Sequence, residues 1–379
     1  MPQGFIIAEF KARLKRAQAR INDADLDAIL LTTEPDIRYF TGYLTRFWES
    51  PCRPWFLVLP RAGDPIAVIP SIGAALMART WISDIRTWRA PDLDDDGIGL
   101  LAETLRALGP RIGTPSGLQS HLRMPLDDFG RLNAALPKPI CADAGIMRSL
   151  RLVKSDAEIE KIKTACHIAT RAFERVPEIA RVGQPLAAVF RDFQRLCLEE
   201  GADWVPYLAG AAAQGGYGDV ISPADDRPLT TGDILMLDTG LVHDGYFCDF
   251  DRNFSIGSPS PNVAAGHSRL IEATYAAFEA ARPGNTAADL FHVMDKIVTG
   301  GAGGSEAGRY GHGLGMNLTE WPSLIPTDHT PLVPGMVLTL EPGIELAPGR
   351  ALVHEENIVI RENGAEWLCQ PYGAEMRRI

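Results

Sequence analysis

Ile234-Leu235-Met236-Leu237-Asp238-Thr239-Gly240 runs toward Asp244-Gly245, and Tyr246-Phe247-Cys248-Asp249-Phe250-Asp251-Arg252-Asn253-Phe254 runs away from it. Asp-Gly between two strand-like runs is the strongest short hairpin signal in the chain. A two-residue turn there places Gly240 opposite Asp249 and Asp238 opposite Asp251. Cross-strand partners share a face, as do residues two apart on one strand. Asp238, Asp249 and Asp251 therefore crowd one face. Three carboxylates so close repel unless a cation or a proton neutralises them. The alternative is a solvent-facing acidic hairpin, but apolar Leu235 and Leu237 give the surroundings the look of a core.

Downstream of this hairpin lie three further segments. Gly311-His312-Gly313-Leu314-Gly315 sets one imidazole among glycines that let the backbone pass close to a neighbour. Leu338-Thr339-Leu340-Glu341-Pro342-Gly343 ends an apolar strand on a carboxylate. His354-Glu355-Glu356-Asn357-Ile358-Val359-Ile360 brings acidic residues into another apolar strand. Each is weak alone. Together they offer two Asp, one His and two Glu, a donor set suited to Mn, Co, Fe or Zn. Two such ions, roughly 3.5–4 Å apart, can share a water and lower its pKa.

Upstream, Ser155-Asp156-Ala157-Glu158 reads as a capping box opening a helix whose buried face is Ile159, Ile162, Cys166, Ala169 and Phe173. A second domain is expected to begin there, giving domains 1–150 and 151–379. A later helix is expected to be capped by Thr286. The first domain reads as mixed α/β. Its signals are a helical pattern from Phe10 to Ala24, a strand at Ala28–Leu31, and a hairpin of Trp55–Leu59 with Pro65–Ile69. No Rossmann or P-loop glycine motif is present.

Composition agrees with a large globular protein. Of 379 residues, 46% are hydrophobic and 22% charged, which excludes disordered and collagen-like classes. No apolar run approaches the roughly 18–20 residues of a membrane span. No signal-peptide pattern opens the chain, so a cytoplasmic placement is expected. The six cysteines form no C-x-x-C pair and read as free thiols in a reduced compartment. Residues 1–150 carry 18 Lys and Arg against 17 Asp and Glu, whereas residues 151–379 carry 19 against 31. An acidic second half argues against nucleic acid as a partner.

The quoted segments resemble the creatinase/prolidase/aminopeptidase P family, with its pita-bread catalytic domain behind a creatinase-like α/β N-terminal domain. The N-terminal domain is echoed in Asp36-Ile37-Arg38-Tyr39-Phe40-Thr41-Gly42-Tyr43 and the linker in Leu150-Arg151-Leu152-Val153-Lys154-Ser155. The resemblance implies Asp238, Asp249, His312, Glu341 and Glu355 as ligands of two divalent ions, manganese first. It also gives Glu341 the role of proton relay. It implies hydrolysis of an Xaa-Pro peptide or another small amide by a homodimer.

The departures from the family pattern are as informative. Three histidines that orient substrate in proline peptidases are missing. The first would lie within Gly210 to Arg227, where Tyr217, Asp219 and Ser222 are the nearest polar choices. The second position is Gly308 and the third Thr319. Asp251 stands where the family usually has Thr, as an extra ligand, a supporting partner or a replacement proton shuttle. His354, beside a ligand carboxylate, is a further catalytic candidate. Arg53 suits a substrate carboxylate, and Trp204, Tyr207 and Trp321 could line an apolar pocket, with Tyr217, Thr319 and Trp321 as candidate substrate contacts.

The missing histidines raise a rival within the family. It includes a creatine amidinohydrolase, an ectoine hydrolase and a metal-dependent lyase of a sulfonium osmolyte. A catalytically inactive binding module, like the peptidase-like domains of histone chaperones, is a more remote reading.

Overall fold

The computed structural model describes residues 4–50, 54–302 and 308–379. The chain divides into two compact units, Met1–Arg151 and Leu152–Ile379.

The first unit is built on a six-stranded mixed sheet. Its strands lie in the order Asp84–Trp88, Ile66–Pro70, Phe56–Pro60, Ala28–Leu31, Ile112–Thr114 and Cys141–Ala142. The expected hairpin forms, with Phe56 opposite Val68 and Leu57 opposite Ala67. Ala28–Leu31 is buried throughout, as a four-residue apolar run in mid-sheet must be. The helix Ile7–Asp23 packs Phe10, Leu14, Ala17 and Ile21 inward at helical spacing. Arg13 is buried with them. Its guanidinium bonds Glu9 and the Tyr39 carbonyl and lies over the Phe5 and Tyr39 rings.

In the second unit, both bonds of the Ser155–Glu158 capping box form at the head of the helix Asp156–Glu174. All five residues of the expected face are buried. Thr286 caps the helix Ala287–Val298 with Asp289 as its reciprocal partner.

Two five-stranded sheets carry most of the rest, antiparallel except where Arg377–Arg378 pairs parallel to Phe250–Ser255. One runs Arg377–Arg378, Phe250–Ser255, Asp233–His243, Trp204–Gln214, with Tyr246–Phe247 added to Asp233–His243. The other runs Glu320–Ser323, His312–Gly313, Val337–Leu340, Glu356–Arg361, Gly364–Trp367. The helices Pro261–Ala280 and Ala287–Val298 pack Leu270, Ala273, Leu290, Phe291 and Met294 into one core with Ile234, Leu338 and Ile358. The pita-bread architecture expected from the sequence is the one observed.

Candidate active site

The Asp244-Gly245 turn has positive φ at both residues, +46° and +79°, the backbone a two-residue hairpin with native twist requires. His243 pairs with Tyr246, Val242 with Phe247, and Asp238 with Asp251. The expected register forms, and it presents Asp238, Asp249 and Asp251 from one sheet.

The second sheet supplies the other groups. Leu340 pairs with Glu356, so Glu341 and Glu355 are the next positions beyond that pair. His312 starts a two-residue strand squeezed between Glu320–Ser323 and Val337–Leu340. Glycine is required beside it. A Cβ on Gly313 would lie 2.0 Å from the Trp321 carbonyl oxygen, and one on Gly311 2.3 Å from that of Thr339.

Asp249, His312 and Glu355 each turn a ligand atom to one point, all within 4.8 Å of one another. His312 Nε2 lies 3.4 Å from Asp249 Oδ2 and 4.0 Å from Glu355 Oε1. Its Nδ1 lies 2.8 Å from the Gly313 carbonyl. A carbonyl only accepts, so Nδ1 carries the proton and Nε2 is left with a free lone pair. That is the tautomer of a metal-binding imidazole. Burial lowers the His312 pKa to about 4, so the ring is neutral.

The carboxylates behave oppositely. Burial raises Asp238, Asp249 and Glu355 well above the usual carboxylate range, with mutual repulsion adding at Asp238 and Glu355. Burial also brings Glu341 to about 7, opposed by His312 and aided by Asp238 and Asp249. Oδ1 of Asp238 and Oε1 of Glu355 are buried without a hydrogen-bond partner. Desolvated, unpartnered oxygens beside a free imidazole lone pair fit divalent cations. Asp249 and Glu355 are buried, whereas Asp238 and Glu341 are partly exposed, so the cluster opens on that side.

A supporting layer holds these groups, and sequence reasoning missed its specific contacts. Tyr207 donates its hydroxyl to Asp238 Oδ2 at 3.1 Å. Asn357 clamps Asp249: its Oδ1 accepts from the Asp249 N–H at 3.1 Å and its Nδ2 donates to the Asp249 carbonyl. Thr339 Oγ1 accepts from the His312 N–H at 3.1 Å. Arg252 donates to the Glu355 carbonyl at 3.0 Å and to Glu356 Oε2 at 2.9 Å. In the sequence Tyr207 is only a candidate pocket residue; the strand pairing of Tyr207 with Gly240 is what brings its hydroxyl to Asp238.

Other expected residues are placed differently. His354 does not join the cluster. Successive side chains alternate as the chain enters the strand Glu356–Arg361, and Glu355 takes the inward position. His354 is buried on the other side, with Nε2 3.3 Å from Glu356 Oε1 and its ring facing His267 and Tyr372. The structure thus places the expected catalytic candidate His354 against Glu356, His267 and Tyr372.

Tyr217 is likewise fully buried. Its hydroxyl accepts from the Val353 N–H at 2.7 Å and donates to Asn253 Oδ1 at 3.0 Å, which places this expected substrate contact within the core. Asp251 is buried opposite Asp238 and accepts from Asn253 Nδ2 at 3.4 Å. Thr319 and Trp321 are half-buried, and Thr319 Oγ1 accepts from Arg309 Nη2 at 3.4 Å. Arg53 lies outside the described residues.

Residues 160–362 match the model of metallopeptidase family M24, and residues 13–153 that of the creatinase/prolidase N-terminal domain. A probable dipeptidase PepE of Mycobacterium tuberculosis is 33% identical over 362 residues, covering 94% of this chain and 93% of its own. The crystal structure of dipeptidase PepE from Mycobacterium ulcerans superposes with a TM-score of 0.85 at 31% identity, covering 99% of each chain. An Xaa-Pro dipeptidase from Bacillus anthracis shares the fold with a TM-score of 0.85 at 22% identity, over 98% of this chain and 100% of its own. The chain belongs to metallopeptidase family M24, a hydrolase with that family's catalytic domain and a creatinase/prolidase N-terminal domain.

Proposed function

We propose that this protein is a dinuclear metal-dependent dipeptidase of the Xaa-Pro type. The observation that carries this reading is the convergence of Asp249, His312 and Glu355, with unpartnered oxygens on Asp238 and Glu355. Asp238, Asp249, His312, Glu341 and Glu355 would hold the two ions, with manganese ahead of cobalt, iron or zinc because carboxylates outnumber the single imidazole. When bound, such ions polarise a carbonyl and make water a nucleophile at neutral pH. Glu341, on the open side of the cluster, takes the proton of the attacking water on its carboxylate and returns it to the leaving nitrogen. His312 keeps its proton on Nδ1 throughout, held by the Gly313 carbonyl. The relatives named dipeptidase and Xaa-Pro dipeptidase support a short peptide as substrate.

Among the described residues, no helix is long and apolar enough to cross a membrane. A cytoplasmic placement and a homodimer belong to this proposal, supported by the family resemblance.

One observation favours a second reading. Gly308 and Thr319 occupy positions where the resemblance implies substrate-orienting histidines, which fits a non-peptidase relative acting on another small nitrogen or sulfur compound. Mass-spectrometric assay of Xaa-Pro dipeptides with manganese- or cobalt-loaded protein decides between them. Turnover above ~1 s⁻¹ is expected for the dipeptidase. Metal-loaded protein that leaves every dipeptide intact rejects the dipeptidase and turns the assay to other small nitrogen or sulfur compounds.

A further inference from the structure

The loop 314–319 leaves the His312–Gly313 strand and returns through Glu320, which pairs with Gly313. The Glu320 carboxylate is folded back into that loop. Its Oε1 accepts from the Met316 N–H at 2.9 Å and the Asn317 N–H at 3.0 Å. Its Oε2 accepts from Lys154 Nζ at 3.0 Å, and both side chains of this pair are buried. A Cβ on Gly315 would lie 2.9 Å from Glu320 Oε2 and 3.0 Å from Lys154 Cε, so the loop backbone packs directly on the pair. Lys154 is itself fixed, because its N–H donates to the Gly335 carbonyl at 2.9 Å just ahead of the Ser155 cap.

The same loop touches the elements that carry the cluster. The Gly315 carbonyl accepts from the Phe247 N–H at 2.8 Å, two residues ahead of Asp249. Leu318 lies over Gly240, where a Cβ would come within 2.1 Å of its Cδ1. Gly240 shares a strand face with Asp238 and pairs with Tyr207, whose hydroxyl holds Asp238. Asn317, Leu318 and Thr319 are half-buried, and Asp238 beside them is partly exposed. The loop therefore walls the cluster at its open side.

A buried ion pair adds little net stability over an apolar pair of the same size. What it imposes is direction, because a carboxylate only accepts and an ammonium only donates. We infer that Lys154 and Glu320 are positioning residues, whose buried pair holds the loop 314–319 against the Asp238 strand and so fixes a wall against which substrate is bound. This rests on the dipeptidase reading for the choice of substrate alone. Such a wall meets the ground state and the transition state alike, so loosening it raises KM more than it lowers kcat.

The test uses the manganese-loaded full chain. Lys154→Met removes the cation that faces the Glu320 carboxylate. It is expected to speed amide hydrogen exchange across residues 314–319 by about 10-fold or more, read by mass spectrometry. Its KM for Xaa-Pro dipeptides is expected to rise about 10-fold, with kcat changed less than about threefold and metal content unaltered. Lys154→Arg keeps the charge and is expected to return exchange and KM most of the way. Should Lys154→Met fail to fold, the double variant Lys154→Met, Glu320→Gln buries neither charge and stands in for it. Its neutral amide accepts less strongly from the two N–H groups, so the rise in KM should persist.

A lower denaturant midpoint with the exchange and KM of the wild type would make the pair merely structural and overturn the assignment. So would loss of metal and kcat at constant KM, which would place the effect at His312. Wild-type protein that turns over no dipeptide rejects the dipeptidase reading. The pair then stands or falls on exchange across 314–319, where a Lys154→Met rate equal to wild type rejects it.

Discussion

Arg252 and Glu356 form a buried ion pair at 2.9 Å that ties the Phe250–Ser255 strand to the Glu356–Arg361 strand of the other sheet. The same guanidinium holds the Glu355 carbonyl and lies against the Phe250 and Tyr372 rings. Removing one partner strands a charge in the interior. Arg252→Met is expected to destabilise the protein by about 3–5 kcal/mol, read from the denaturant midpoint. The double variant Arg252→Met, Glu356→Gln should recover part of that loss, because it removes both charges. A single variant within about 0.5 kcal/mol of wild type would remove this pair from the account of how the sheets are held.

Metal content tests the cluster directly. Asp249→Asn is expected to lower the bound metal and abolish turnover, measured by elemental mass spectrometry beside the peptide assay. Full metal occupancy together with full activity in that variant would reject the ligand assignment. Chelation should lower the melting temperature, since ions that bind only the folded state stabilise it by about 2.7 kcal/mol at a hundredfold excess over Kd.

Tyr207→Phe removes the hydroxyl that orients Asp238 Oδ2 and leaves the ring in place. A supporting contact of this kind is expected to account for about 10-fold or more in metal affinity. Competition with a metallochromic chelator would show it, and unchanged affinity would argue that Asp238 is positioned by the sheet alone.

Gly313→Ala places a methyl carbon 2.0 Å from the Trp321 carbonyl, against backbone that has no rotamer to yield. A loss of about 1–3 kcal/mol is expected, accompanied by weaker metal binding as His312 is pushed out of line. Thermal and metal titrations of the purified variant check both effects.

His267 gives a pH signature away from the cluster. Burial brings its pKa down to about 4, with the neighbouring His354 and Arg252 adding to the effect. The folded state therefore disfavours the charged ring. The stability that follows is fully present above the ordinary value near 6.5 and is lost as pH falls from there toward 4. The loss is on the order of 3 kcal/mol. His267→Gln cannot take up that proton and should flatten the unfolding free energy between pH 6.5 and 4. An unchanged slope would assign the acid sensitivity to other groups.

What the sequence by itself determined lies at short range. The Asp244-Gly245 turn set the register that pairs Asp238 with Asp251, because a two-residue turn admits only one pairing. The Ser155–Glu158 box and the apolar face behind it located the opening helix of the catalytic unit, because capping and helical periodicity are local. Only the tertiary structure decided which side chains meet across the two sheets. The clamp of Asn357 on Asp249, the hydroxyl of Tyr207 on Asp238 and the hold of Arg252 on Glu355 join residues 31 to 108 positions apart. No local propensity encodes such contacts. The surroundings of His354 and Tyr217 were hidden for the same reason: a polar residue beside a site faces it or turns away according to strand alternation and the packing of distant segments, which are settled only when the sheets close.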